Sequence, residues 1–181
     1  MTTQVEVYAG TAGHSAWFSN DHGQTWVHPN SHSGMYLEAR VWHFCSHPSD
    51  PHLLYAGTDM GLFRWDERTA RWTHLPSPMQ DIWALVQDPD DPNIIYAGTR
   101  PAALYRSKDA GATWEELKAP GIQKFSDINM GPTRVTQMLF DPKDHNTLWA
   151  VVEIGGVYRS QDRGNTWELK TEGLVLSLIH I

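Results

Sequence analysis

The chain has 181 residues, 40% hydrophobic and 19% charged, and a formal net charge of −7 with its ten histidines neutral. That length and balance suit one globular domain with a sizeable core. No Lys/Arg run interrupts the acidic balance, which argues against nucleic acid or an anionic membrane as partner. No apolar run approaches the ~18 residues of a spanning helix.

The N-terminus passes from Met1-Thr2-Thr3-Gln4 into Val5-Glu6-Val7-Tyr8 without a basic start or an apolar signal core. Cys45 is the single cysteine, so no internal disulfide can form. Both features point to the cytoplasm.

Taken in order, the chain repeats itself. A strand pattern at residues 5–11 returns at 53–58 and 94–99, each ending Tyr-Ala-Gly-Thr, and more loosely at 147–152. A short loop leads to another apolar strand, as in Leu62-Phe63-Arg64 and Leu104-Tyr105-Arg106. A turn then follows: Ser19-Asn20-Asp21-His22-Gly23-Gln24-Thr25-Trp26, Ser107-Lys108-Asp109-Ala110-Gly111-Ala112-Thr113-Trp114 and Ser160-Gln161-Asp162-Arg163-Gly164-Asn165-Thr166-Trp167. The shared pattern is Ser-x-Asp-x-Gly-x-Thr-Trp. Apolar runs on both sides make it a hairpin turn. The Gly supplies positive φ, the Asp folds its carboxylate onto backbone N–H groups, and the hydroxyls close the remaining hydrogen bonds. The Trp returns the chain to the sheet and covers a neighbouring one. Asp21, Gly23, Trp26, Asp109, Gly111, Trp114, Asp162, Gly164 and Trp167 are therefore read as structural. Between Arg64 and Trp72 the Gly and Thr are missing and Glu67 stands where the Asp belongs, which predicts a looser turn that keeps Trp72.

A further strand precedes the second, third and fourth copies of this strand pattern, at 40–45, 81–86 and 134–139, and the first copy lacks one. These near-continuous apolar runs predict strands buried on both faces. Each is followed by a Pro turn, at Pro48, Pro89 and Pro142. The unit is four antiparallel strands, the last of them charged and at an edge. Trp26, Trp72, Trp114 and Trp167 stand 46, 42 and 53 residues apart, the ~40–50-residue period of propeller blades.

The eight-residue pattern resembles the Asp-box, or BNR repeat, of sialidase-like, sortilin-like and photosystem-assembly-factor-like β-propellers. The resemblance implies an all-β chain: a single partial propeller over residues 1–175, with blades near 1–30, 40–76, 81–119 and 134–172. It is either an incomplete propeller or a closed four-bladed ring. The apolar tail bears on that choice. Residues 176–181, Leu-Ser-Leu-Ile-His-Ile, read either as a native closing strand or as a read-through of a sequencing adapter. The second reading makes the chain the N-terminal part of a longer propeller.

In such a propeller the Asp-box turns lie on one face and the ligand site on the other. Repeat-equivalent positions there carry Arg40, Asp81 and Arg134 at the starts of the first strands, and Asp59, Arg100 and Glu153 in the loops after the second. Their chemistry varies where a structural position would keep one residue type, which makes these six the candidate ligand-binding residues. The loops between blades add His28, His32, Tyr36, Glu38, Met79, Gln80, Lys124, Phe125, Asp127 and Asn129. No cofactor or metal motif is present. His28 and His32 lack further ligands at suitable spacing, and Asp88-Pro89-Asp90-Asp91 lacks the Gly and final Glu of a calcium loop.

Two functions compete. One is a non-catalytic scaffold for a protein or carbohydrate ligand. The alternative is the N-terminal part of a glycoside hydrolase. Sialidases resemble the chain in the box, and their Arg triad has candidates in Arg40, Arg100 and Arg134, with Tyr36, Glu38 and Glu153 nearby. Their Arg-Ile-Pro signature is absent. Asp-box glucanases resemble it too and need two facing carboxylates, for which Asp59 and Asp81 are candidates.

Overall fold

The structure, a computed structural model, describes residues 6–28, 31–126 and 131–172. The described residues form antiparallel sheets in series. β1 (Val7–Gly10) and β2 (Ala16–Ser19) make the first, extended by a bridge from Phe18 to Val27. The second contains β3 (Val41–Ser46), β4 (Leu53–Thr58), β5 (Gly61–Asp66) and β6 (Arg71–Leu75) in that order. The third contains β7 (Asp81–Gln87), β8 (Ile95–Arg100), β9 (Leu104–Ser107) and β10 (Glu115–Glu116). The fourth contains β11 (Val135–Phe140), β12 (Leu148–Val152), β13 (Gly156–Ser160) and β14 (Glu168–Leu169). No helix among the described residues is long and apolar enough to cross a membrane.

The sheets stack as blades, each against the next, and the inner strands β3, β7 and β11 pack on one another in turn. Apolar residues fill the joints. Tyr55, Leu62 and Leu75 meet Ile82, Leu85 and Ile95 between the second and third blades. Tyr96, Leu104 and Leu117 meet Val135, Met138 and Leu148 between the third and fourth. Among the described residues no contact of comparable extent joins the fourth blade to the first. The described residues form an incomplete β-propeller of four blades, the first of them two-stranded. Residues 176–181, with the closing-strand and adapter readings, lie outside the described residues.

The Gly of Tyr-Ala-Gly-Thr has a packing cause. A Cβ at Gly57 would stand 2.7 Å from the backbone oxygen of Ile82, and one at Gly98 would stand 2.5 Å from Val135 Cγ1. Gly10 meets Val41 in the same way at 2.9 Å. In three successive blades, then, the second strand is bare where the next inner strand crosses it. The fourth blade has Val151 at that position, opposite Gln137 as Gly98 is opposite Ala84.

The three Ser-x-Asp-x-Gly-x-Thr-Trp turns share one hydrogen-bond set. Ser19 Oγ donates to Asp21 Oδ1 at 2.7 Å and accepts from the Gly23 N–H at 2.8 Å. Asp21 accepts from the Thr25 N–H at 2.9 Å and from its hydroxyl at 2.5 Å. Asp109 repeats this with Thr113 at 2.7 and 2.6 Å, and Asp162 with Thr166 at 2.8 and 2.6 Å. The residue before each Gly also takes positive φ: 59° at His22, 55° at Ala110 and 54° at Arg163, where only the Gly was expected to. The closing Trp precedes the strand instead of re-entering the sheet, since β10 and β14 begin at Glu115 and Glu168. Its indole N–H donates back to the turn's Gly, at 3.2 Å for Trp114 and 3.0 Å for Trp167. Trp114 and Trp167 then cover the preceding blade.

Two expectations need correction. The turn after β5 is tighter, not looser. β5 and β6 stay paired to Asp66 opposite Arg71, with Trp65 opposite Trp72. Asp66, not Glu67, organises it, accepting from the Arg68 N–H at 3.0 Å while its carbonyl accepts from Thr69. The inner strands are also not uniformly buried on both faces. β7, packed between two blades, is largely buried, whereas Thr136, Gln137 and Leu139 of β11 are exposed. Sequence polarity does not reveal which blade has a neighbour on each side.

Candidate functional site

The antiparallel order puts the starts of β3, β7 and β11 beside the loops that follow β4, β8 and β12, opposite the Ser-x-Asp turns. The six candidate residues gather there as three couples, of which two are bonded. The backbone N–H of Arg40 donates to Asp59 Oδ1 at 2.9 Å, and the Asp59 N–H returns to the Arg40 carbonyl at 3.1 Å. Their side chains stand 3.9 Å apart. Arg134 and Glu153 form a two-pronged ion pair at 2.7 and 2.6 Å, closed by Glu153 N–H on the Arg134 carbonyl at 2.9 Å. The Glu153 hydrogen bond raises the Arg134 pKa, outweighing partial desolvation. Asp81 and Arg100 face each other across the β7–β8 ladder. Asp81 instead accepts from the Trp42 indole N–H at 2.8 Å, and Arg100 donates to the Pro132 carbonyl at a long 3.5 Å.

Trp42 and Trp83 complete the arrangement and are absent from the sequence-derived set. Each inner strand skips one residue in its register with the second strand, between Val41 and His43, Ile82 and Ala84, and Val135 and Gln137. The skipped residues are Trp42, Trp83 and Thr136. Such bulges re-aim a side chain. Trp42 and Trp83 stack at 4.1 Å with planes 13° apart, and the Arg134 guanidinium lies 4.2 Å from the Trp83 ring centre. A continuous column runs Trp42, Trp83, Arg134, Glu153 across three blades. A signal existed: Trp is the third residue of both Arg40-Val41-Trp42 and Asp81-Ile82-Trp83.

The surrounding loops divide. Tyr36 and Phe125 are 58% and 62% exposed. Met79 is 5% exposed and belongs to the core between the second and third blades, so it leaves the candidate set. His28 rests on Trp17 at 4.6 Å and bonds the His14 carbonyl at 2.9 Å. Lys124 pairs with Glu116 at 3.1 Å. Asp127 and Asn129 lie outside the described residues. Among the described residues no three His, Cys, Asp or Glu side chains gather as a metal site.

The opposite face is tied between blades. Arg163, in the fourth blade's Ser-x-Asp turn, reaches the third blade's Asp88 and Asp90, each at 2.5 Å. The Arg163 carbonyl accepts from the Tyr96 hydroxyl at 2.8 Å and from Arg106 at 3.0 Å. Arg106 is itself buried and bonds Glu115 at 2.8 Å. These arginines hold the blades together.

No family model matches the chain. Over 135 residues, 67% of the chain, it is 29% identical to a protein of Neosartorya fischeri named "Probable oligoxyloglucan-reducing end-specific xyloglucanase", and it spans 16% of that protein's length. Among solved structures it is similar to an ancestral GH74 enzyme, with TM-score 0.73 and 19% identity, covering 91% of this chain and 22% of that one. It is also similar to the GH74 xyloglucanase of Xanthomonas campestris, with TM-score 0.67 and 20% identity, covering 90% of this chain and 27% of that one. The chain therefore has the blade architecture of a propeller and the length of only a fraction of these proteins.

Proposed function

We propose that the chain is part of the propeller of a glycoside hydrolase that acts on a β-glucan of the xyloglucan class. The observation that carries this is the 29% identity to the xyloglucanase over 135 residues, joined to the shared fold. It favours the hydrolase reading over a non-catalytic scaffold.

On this reading the Ser-x-Asp-x-Gly-x-Thr-Trp turns are Asp-boxes with a structural role. Asp21, Asp109 and Asp162 spend their carboxylates on their own turns, so no chemistry is assigned to them. The glucan meets the opposite face, where the Trp42–Trp83 column gives one wall and the exposed rings of Tyr36 and Phe125 stand on the rim. Glycoside hydrolysis needs one carboxyl to protonate the leaving oxygen and a second to activate water or attack. Asp59 and Asp81 are the candidates this chain offers. Glu153 is committed to Arg134.

The test is hydrolysis of xyloglucan, mixed-linkage β-glucan and sialosides by the longest natural form of the protein. Release of oligosaccharides from xyloglucan alone supports the reading. Sialoside cleavage, or binding of xyloglucan with no turnover, refutes it. Asp59→Asn and Asp81→Asn should each lower turnover at least about 100-fold if they are the catalytic pair.

A further inference from the structure

We propose that a cleft between the second and third blades' loops binds the carboxylate of an acidic monosaccharide residue, and that Arg100 is its recognising group. The proposal concerns binding alone and does not depend on hydrolysis.

Of the three arginines on the loop face, two are committed. Arg134 holds Glu153 at 2.6 Å and lies over Trp83. Arg40 leans on Asp59 at 3.9 Å. Arg100 has no carboxylate partner among the described residues. Its cross-strand neighbour is Asp81, which is occupied by the Trp42 indole. Among the described residues, the only bond from its guanidinium is the 3.5 Å contact to the Pro132 carbonyl. A guanidinium that makes no ion pair among the described residues and sits at a strand end is suited to two-pronged capture of a carboxylate.

Arg100 lines a cleft of about 270 Å³ together with Pro78, Gln80, Pro101, Tyr105 and Lys124. Pro78, Pro101 and the Tyr105 ring give it an apolar wall, and Gln80 and Lys124 add polar groups. Lys124 is already paired with Glu116 at 3.1 Å, so it tunes the cleft and Arg100 supplies the cation that holds no carboxylate of its own. Pockets for drug-sized ligands run roughly 300–1,000 Å³. This cleft falls just below that range and suits one sugar ring, not a chain segment. Apolar wall, polar edge and one cation match the C–H face, hydroxyls and carboxylate of a hexuronic acid. The net charge of −7 disfavours a polyanion.

The test titrates the 181-residue chain with glucuronate, glucose and acetate, read by ligand-observed NMR and calorimetry. Glucuronate should bind at least about tenfold more tightly than glucose, the loss expected when a charge-assisted bond is removed. Acetate, which has the carboxylate and no ring, should bind more weakly than glucuronate. Arg100→Gln should weaken glucuronate at least about tenfold, and Lys124→Gln less. Lys108→Gln, on the opposite face, should leave binding unchanged. Thermal melts confirm that each variant is folded; Arg100 and Lys124 are exposed, so the melts should not move. Equal binding of glucose and glucuronate, or no binding of glucuronate, overturns the proposal. So does glucuronate affinity untouched in Arg100→Gln. Acetate binding as tightly as glucuronate overturns the sugar assignment.

Discussion

Gly98→Ala adds one methyl group to a buried strand, and its sign discriminates between two accounts of the Tyr-Ala-Gly-Thr motif. If the Gly were incidental, Ala would stabilise by about 0.4–1 kcal/mol by restricting the unfolded chain. The structure opposes that gain. The new Cβ would stand 2.5 Å from Val135 Cγ1, 2.6 Å from Val135 Cβ and 3.3 Å from Ala84 Cβ, against an optimum of about 3.5–4.0 Å for carbon pairs. β8 is held on both sides, by Ala84 and by Leu104 opposite Gly98, so the overlap of about 1 Å must be absorbed by parting the third and fourth blades. Overpacking of this kind costs about 1–3 kcal/mol, leaving a net loss of about 1–2 kcal/mol. At about 2–4 °C per kcal/mol for a chain of this size, Tm should fall by about 2–8 °C in calorimetry. Val151→Ala alters the same strand position in the fourth blade, where no following sheet crosses it among the described residues, and should stay within about 1 kcal/mol of the parent. A Gly98→Ala variant that melts at or above the parent temperature would refute the packing account.

Other outcomes follow from the opposite face and the turns. Arg163→Met leaves the Asp88 oxygen it contacts without its partner, in a residue with no exposed surface. It should destabilise by about 1–3 kcal/mol in urea titration; an unchanged midpoint would show that the clamp contributes nothing. The Thr25 hydroxyl and N–H, with Ser19, hold Asp21 at a pKa of about 2, and Asp109 is lowered by Thr113 in the same way. Depressed folded-state values contribute stability above the ordinary carboxylate range and lose it as pH falls through the folded pKa. Thermal stability should therefore decline between about pH 4 and 2, and less steeply in Asp21→Asn. Trp83→Ala removes the centre of the column while Arg134 keeps Glu153. It should lower affinity for xyloglucan oligosaccharides by about tenfold in calorimetry, and unchanged affinity would remove the column from the glucan-binding face.

The blades were legible because their signals are local. Three Ser-x-Asp-x-Gly-x-Thr-Trp turns and the Tyr-Ala-Gly-Thr strands fixed strand order and period, and the six loop-face positions follow from counting along that repeat. What stayed hidden depends on contacts between repeats. Arg134 and Glu153 were both named, but nothing in their spacing shows that they bind each other and leave Arg100 apart. The bulges that free Trp42 and Trp83 from the ladder alter register without a Gly or Pro to mark them. Met79, read as a loop residue, is buried because the loop folds over the joint between two blades. The degenerate pattern at 64–72 does not show that the turn shortens, nor that Asp66 instead of Glu67 serves it.

Val151 limits how far the repeat can be treated as modular. The first three blades share an interface code: glycine on the leading sheet, a branched residue on the trailing one, as in Gly10 with Val41, Gly57 with Ile82 and Gly98 with Val135. A gene in which the third blade is duplicated preserves that code at the new junction. Duplicating the fourth sets Val151 against a second copy of Val135, two branched side chains in the space of one. Duplication should thus be tolerated at the second and third blades and fail at the fourth, although these three have the same strand order.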